Sequence, residues 1–235
     1  MSEREHSRPI AAYRGARPPA PDWFREALAA PSQEGCVEVR GAAIRYSAWG
    51  PRGKRGLIFI HGGRAHRNWW RPFAPWFAET HRVVAFDMSG MGDSDWRASY
   101  SLPVAVDEIF AVAAASGAAD SHRPIVVGHS FGGWMALAAV ERHGERLAGA
   151  VVIDSPIGTP DPDEGYTVLR PADPAKIREN RVYPTQEDAI ARFRFLPDQP
   201  AGAHYLVDHI AREGLKRVSG PAGEGWSWKF DPAHG

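Results

Sequence analysis

The sequence predicts an α/β fold: a mostly parallel sheet with flanking helices, followed by a helical cap insertion. Three observations predict it. Short unbroken apolar runs recur at residues 56–60, 83–86, 125–127 and 150–153, and such runs suit strands covered on both faces. Apolar residues at helical spacing separate them. Trp69, Phe73, Trp76 and Phe77 share one face, then Val106, Ile109, Phe110 and Ala113, while residues 131–140 are nearly all apolar or small. Strand and helix therefore alternate, the signature of a sheet built through crossover helices.

Residues 1–20 are rich in Arg, Pro and Ala without periodicity and read as a disordered lead-in. Pro21-Asp22-Trp23-Phe24 opens a short amphipathic helix that Pro31 closes. Residues 36–40 and 42–49 alternate apolar and polar and join at Gly41, as two strands of a hairpin would. Together with the alternating runs they make a core over 21–155. From 156 to 228 the strand signal disappears. A Pro- and Asp-rich loop over 161–173 leads to Thr185-Gln186-Glu187-Asp188, a helix N-terminus with Asp188 placed to reach back to its cap. That helix is expected to run to Pro197, and a second one over 204–215; the two form the cap. Residues 229–235 read as a stub where the return to the core is missing.

Composition narrows the function classes. Lys plus Arg equals Asp plus Glu, 28 against 28, so no net field draws the chain to nucleic acid. The single cysteine, Cys36, excludes an intrachain disulfide. Residues 1–9 lack the apolar stretch of a secretory signal, and no apolar run is long enough to span a membrane. The expectation is a cytoplasmic protein acting on a small-molecule substrate.

Three motifs carry the chemistry. Gly128-His129-Ser130-Phe131-Gly132-Gly133 follows one apolar run and opens a helix. A serine on such a tight strand-to-helix turn is held in a strained conformation at a helix N-terminus, where negative charge is favoured. The flanking glycines leave room for strand and helix to pack closely. The second motif, His61-Gly62-Gly63, directly follows the run ending at Ile60. A nucleophilic serine needs N–H donors aimed at the developing oxyanion; the N–H groups of Phe131 and Gly63 are the candidates, with His61 bracing the loop. The third, Asp87-Met88-Ser89-Gly90-Met91-Gly92-Asp93-Ser94, reads as a structural turn rich in side-chain to backbone hydrogen bonds.

These segments, in this order and at these strand ends, resemble the α/β-hydrolase fold superfamily in its serine-nucleophile branch, over residues 36–155. The resemblance implies a Ser-acid-His triad with Ser130 as nucleophile, an oxyanion hole from Gly63 and Phe131, a helical cap, and neither cofactor nor metal. Dehalogenase-like and epoxide-hydrolase-like members place a carboxylate where Ser130 stands, so the serine points to an ester-like or other acyl bond. The competing reading is a non-catalytic ligand-binding or scaffold module.

The rest of the triad departs from the pattern. Asp154, ending the run 150–153, is a candidate acid, with loop capping as its alternative role. His143 lies thirteen residues past Ser130 on one helix, about 20 Å away at the helical rise. His204 and His209 lie on the cap, and His234 sits beside the C-terminus. None is a suitable base, so this chain is expected to hydrolyse p-nitrophenyl esters weakly or not at all. The parent chain is expected to continue past Gly235 with a strand, an acid, a further strand and a histidine.

Overall fold

The computed structural model describes residues 8–155, 177–220 and 223–234. The Pro- and Asp-rich loop expected at 161–173 lies outside the described residues. The chain divides into two compact units: Glu26–Arg178 with Phe230–Gly235, and Met1–Arg25 with Glu179–Lys229. The division in sequence falls within the residues of helix α1 (Asp22–Ala29).

The larger unit is built on a sheet of six strands: β1 (Gln33–Val39), β2 (Ala42–Trp49), β3 (Arg55–Ile60), β4 (His81–Phe86), β5 (Ile125–His129) and β6 (Gly149–Ile153). Their order is β1-β2-β4-β3-β5-β6. The hairpin β1–β2 is antiparallel, as is β2 against β4; β4, β3, β5 and β6 are mutually parallel. Side chains alternate across the central strands. Ile58, Ile60, Val84, Phe86 and Val126 join a core with α2 (Leu102–Ser116) and α3 (Phe131–His143), through Ile109, Phe110, Met135 and Ala139. Leu57, Phe59, Val83, Ala85 and Val127 face the other way, against Trp49, Trp70 and Ala74. Two buried faces explain why these strands read as solid apolar runs.

Three expectations fail in this unit. The helix expected around Trp69–Phe77 is two short 3-10 turns, Arg67–Trp69 and Ala74–Phe77. Pro72 and Pro75 cannot donate the backbone bonds an α-helix needs there, and Trp76 is exposed while Trp70 stacks on Phe59. Nor is the C-terminal stub detached from the core. Phe230 bridges to Met91, the Asp231 N–H donates to the Gly90 carbonyl (2.7 Å), and Tyr100 donates to Asp231 (2.5 Å). The run 150–153, expected to be covered on both faces, lies in edge strand β6, where Val151 and Ile153 are exposed.

The smaller unit contains α4 (Gln186–Ile190), α5 (His204–Glu213), β7 (Leu215–Gly220) and β8 (Gly223–Trp228). Thr185 caps α4, its hydroxyl accepting the Asp188 N–H at 3.1 Å, but the helix ends at Ile190, short of Pro197. The antiparallel hairpin β7–β8 replaces the expected absence of strands. Trp226 and Trp228 alternate with Ser227 and pack toward a core of Tyr183, Ile190, Val207, Ala211 and Leu215. The described part of the lead-in expected to be disordered, residues 8–20, is ordered and supplies Ile10, only 1% exposed, to that core. Arg212, which also holds the buried Asp208, donates to the Gly15 carbonyl, and Arg17 lies 3.8 Å from Asp208. These partners lie nearly two hundred residues further along the chain, so no local pattern announces them.

Candidate active site

The chain leaves β3 toward β4 on one side and returns to β5 on the other. At such a switch point, the loops beyond the carboxyl ends of the two strands diverge and leave a crevice. The loop after β3 carries His61-Gly62-Gly63, and the turn after β5 carries Ser130. Strain concentrates at the same end of the sheet. Among the described residues five non-glycine residues have positive φ, and three of them, Arg64, Ser130 and Asp154, follow β3, β5 and β6. Such conformations cost on the order of 1–3 kcal/mol each and persist only where the surroundings enforce them.

Ser130 has φ 51° and ψ −120° at the N-cap of α3. Three hydrogen bonds hold it. Its N–H donates to the Ile153 carbonyl at 2.8 Å, and its own carbonyl accepts from the Gly133 N–H (2.9 Å) and the Ser155 hydroxyl (2.7 Å). Ser155 is a positioning residue that the sequence gives no cause to single out. The glycines around Ser130 are required by contact: a Cβ on Gly128 would strike the backbone of Gly132 and Gly133, and one on Gly132 the carbonyls of Ile60 and His61. Strand β5, helix α3 and the end of β3 thus meet backbone to backbone.

That approach brings the two candidate oxyanion donors together. A Cβ built on Gly62 would lie 3.4 Å from the Ser130 Cβ, and one on Gly63 would lie 3.7 Å from the Phe131 Cβ. Neither the Gly63 nor the Phe131 N–H finds an acceptor among the described residues. His61 sets the direction of one of them. The Met88 N–H donates to His61 Nε2 at 3.1 Å, so the ring proton sits on Nδ1, which lies 2.8 Å from the Gly62 carbonyl. In a planar trans peptide the N–H points opposite to the carbonyl. Pinning the Gly62 carbonyl on the imidazole therefore turns the Gly63 N–H to the far side.

His61 is fully buried, and burial holds its imidazole below its ordinary pKa; Asp87 and the Gly62 carbonyl oppose this, while Arg67 and His129 reinforce it. Burial also lowers His129, against the pull of Asp154. The sign follows. Below about pH 6.5 an unfolded histidine gains a proton that folded His61 resists. Unfolding then takes up protons, so stability falls as the pH drops through that range and is unaffected well above it. Urea unfolding of wild type and His61→Gln from pH 7.5 to 5.5 should show a shallower decline in the variant. The removed contribution approaches about 1.4 kcal/mol per pH unit at most, and identical slopes would contradict it.

The turn after β4 is structural, as expected. Asp87, fully buried, ends that strand and accepts the N–H groups of Arg67 (2.6 Å) and Asp93 (2.9 Å) together with the Arg67 guanidinium. Arg67 also reaches Asp93 (2.9 Å) and the Ser47 hydroxyl (3.1 Å). Paired with two carboxylates, its guanidinium is held above the ordinary range despite burial. This ion pair ties the loop after β3 to the one after β4.

The remaining triad candidates are scattered. Asp154 is 91% exposed in its side chain, with His129 Nε2 4.0 Å away. His143 packs edge-on against Phe110. His204 bonds Tyr13 at 3.1 Å and His209 packs on Phe24, both in the smaller unit. His234, expected at a loose end, is buried; its ring lies 4.3 Å from that of Tyr100 and 5.4 Å, edge-on, from that of Phe131. Among the described residues the Ser130 hydroxyl has no hydrogen-bond partner.

The mostly parallel sheet thus carries a strained serine turn after β5 and a glycine pair after β3, and comparison with known proteins places this fold in a family. Residues 57–233 match the model of the alpha/beta hydrolase family, and the chain belongs to that family. It is 33% identical over 103 residues to the proline iminopeptidase PfmaB of Pestalotiopsis fici, covering 43% of this chain and 36% of that protein. It is 36% identical over 123 residues to the 2-hydroxymuconate semialdehyde hydrolase of a Pseudomonas species, covering 50% and 42%. The chain thus spans less than half the length of these curated relatives. Among solved structures, a hypothetical protein of Pseudomonas aeruginosa PAO1 superposes with a TM-score of 0.67 at 26% identity, over 86% of this chain and 70% of that one. No helix among the described residues is long and apolar enough to cross a membrane.

Proposed function

We propose that the protein is a serine hydrolase that cleaves an ester-like or other acyl bond of a small molecule. The observation that carries this reading is the conformation of Ser130, strained at φ 51° beside two backbone N–H groups that find no acceptor among the described residues. The Ser130 hydroxyl attacks the acyl carbonyl and its proton passes to a base. The carbonyl oxygen becomes an oxyanion held by the Gly63 and Phe131 N–H groups, and the N-terminus of α3 adds a favourable field. Collapse expels the leaving group, and water then hydrolyses the acyl-enzyme. Removing one such donor costs other serine hydrolases about a hundredfold or more in rate.

Among the described residues no acid or base is a hydrogen-bonded partner of Ser130. That observation favours a second reading, a catalytically silent ligand-binding module. A fluorophosphonate probe separates the two, since it reacts with an activated serine. The expected result is covalent label on Ser130, located by peptide mass and lost in Ser130→Ala, even where turnover of p-nitrophenyl esters is weak, because one capture event needs less activation than sustained turnover. An unlabelled Ser130 would support the silent module, and ester turnover that survives Ser130→Ala would remove the serine from the mechanism.

A further inference from the structure

Arg64 follows Gly63 directly, in a turn closed by the Ala65 N–H donating to the Gly62 carbonyl at 3.2 Å. It occupies the third position of that turn with φ 57°, where type II geometry calls for glycine. An arginine there costs backbone energy that a glycine would avoid. Its side chain gains no ion pair among the described residues in return. Among the described residues its recorded contact is the Phe230 ring, with the guanidinium carbon 5.4 Å from the ring centroid. Stacking on an aromatic face leaves the in-plane N–H donors of a guanidinium free.

Most described carboxylates at this end of the unit hold other groups, while Asp154, 91% exposed, lies 4.0 Å from His129 Nε2. Asp87 and Asp93 hold Arg67; Glu108 holds Arg97 and the Ser89 N–H; Asp231 holds the Tyr100 hydroxyl and the Ala233 N–H. Among the described residues Arg64 is thus an exposed cation without an ion pair, backed by an aromatic ring, one residue from a candidate oxyanion donor. Phe230 is itself fixed by its bridge to Met91.

We propose that Arg64 is a specificity-determining residue that binds a carboxylate on the acyl part of the substrate, so that the site prefers half-esters of dicarboxylic acids, or like acyl compounds, over neutral ones. This rests on the proposed role of Ser130, and it names the substrate class of the same site. Bidentate pairing of guanidinium with carboxylate supplies both attraction and orientation. No new bond is involved: the carboxylate stays ionised and Arg64 stays protonated throughout.

The test uses the full chain carrying Ser130→Ala, so that binding is read without any need for a reactive serine. Affinities for monophenyl glutarate and for the neutral phenyl valerate are measured by NMR titration at low and high salt. The expected result is a preference for the anionic ester that falls about tenfold with Arg64→Gln and Arg64→Gly, is partly kept by Arg64→Lys, and weakens with salt. Arg64→Gly relieves the backbone and keeps the variant set from failing through misfolding. Equal affinity for the two esters, or a preference untouched by Arg64→Gln and Arg64→Gly, overturns the proposal. Loss of fluorophosphonate labelling with the anion preference intact would instead count against Ser130 alone.

Discussion

Gly128→Ala should lose at least about 3 kcal/mol of stability, at or beyond the upper end of the usual overpacking cost. The added methyl meets the Gly132 carbonyl and the Gly133 nitrogen, backbone atoms in the first turn of α3 that no rotamer change can move aside. Relief requires β5 and α3 to separate. Separation would unpack Met135, Ala136 and Ala139, all fully buried, and displace Ser130 from its three hydrogen bonds. Gly144→Ala is the control. Its φ is −59°, and an added Cβ would make only an ordinary contact, 3.8 Å from Val140. Its stability should stay within about 0.5 kcal/mol of wild type or rise slightly. Urea midpoints at constant slope decide it: comparable midpoints for the two variants would show that the close approach of strand and helix is not required.

Asp87→Ala is expected to cost about 3–5 kcal/mol, the range for breaking a buried ion pair by removing one partner. The Arg67 guanidinium would keep Asp93 at 2.9 Å and Glu34 at 3.6 Å, both substantially exposed. The N–H groups of Arg67 and Asp93 would lose their acceptor. Asp87→Asn retains an acceptor oxygen and should cost less than alanine. Because Asp87 ties the loop after β3 to the one after β4, the alanine variant should also label more slowly with fluorophosphonate under conditions where it is still folded. A loss below about 1 kcal/mol would mean that the remaining carboxylates satisfy Arg67 without it.

The parts of the site that were legible in sequence are those where a residue type answers a local requirement. Gly128 and Gly132 are glycines because strand and helix touch there. Solid apolar runs mark β3, β4 and β5 because both faces of those strands are covered. The hairpin β7–β8 was hidden because its strands are polar and glycine-rich; the alternation of Trp226 and Trp228 about Ser227 was its one signal. The 3-10 turns after β3 escaped because apolar spacing matched a helix while Pro72 and Pro75 removed the donors a helix needs. Ile10 and Tyr13 looked like solvated lead-in because their partners on α5 follow nearly two hundred residues later. Ser155 is an ordinary serine until its hydroxyl is seen on the Ser130 carbonyl.

From the order of residues alone come the α/β class, the serine turn at Ser130 and the glycine pair that faces it, since period, turn chemistry and close packing are all encoded within a few neighbouring positions. Only the packed chain determines which carbonyl His61 holds, which ring supports Arg64, and that the segment from Phe230 to His234 closes onto the loop after β4. Those contacts join residues far apart in sequence, and their energies depend on burial and on hydrogen-bond direction, which exist only once the sheet has assembled.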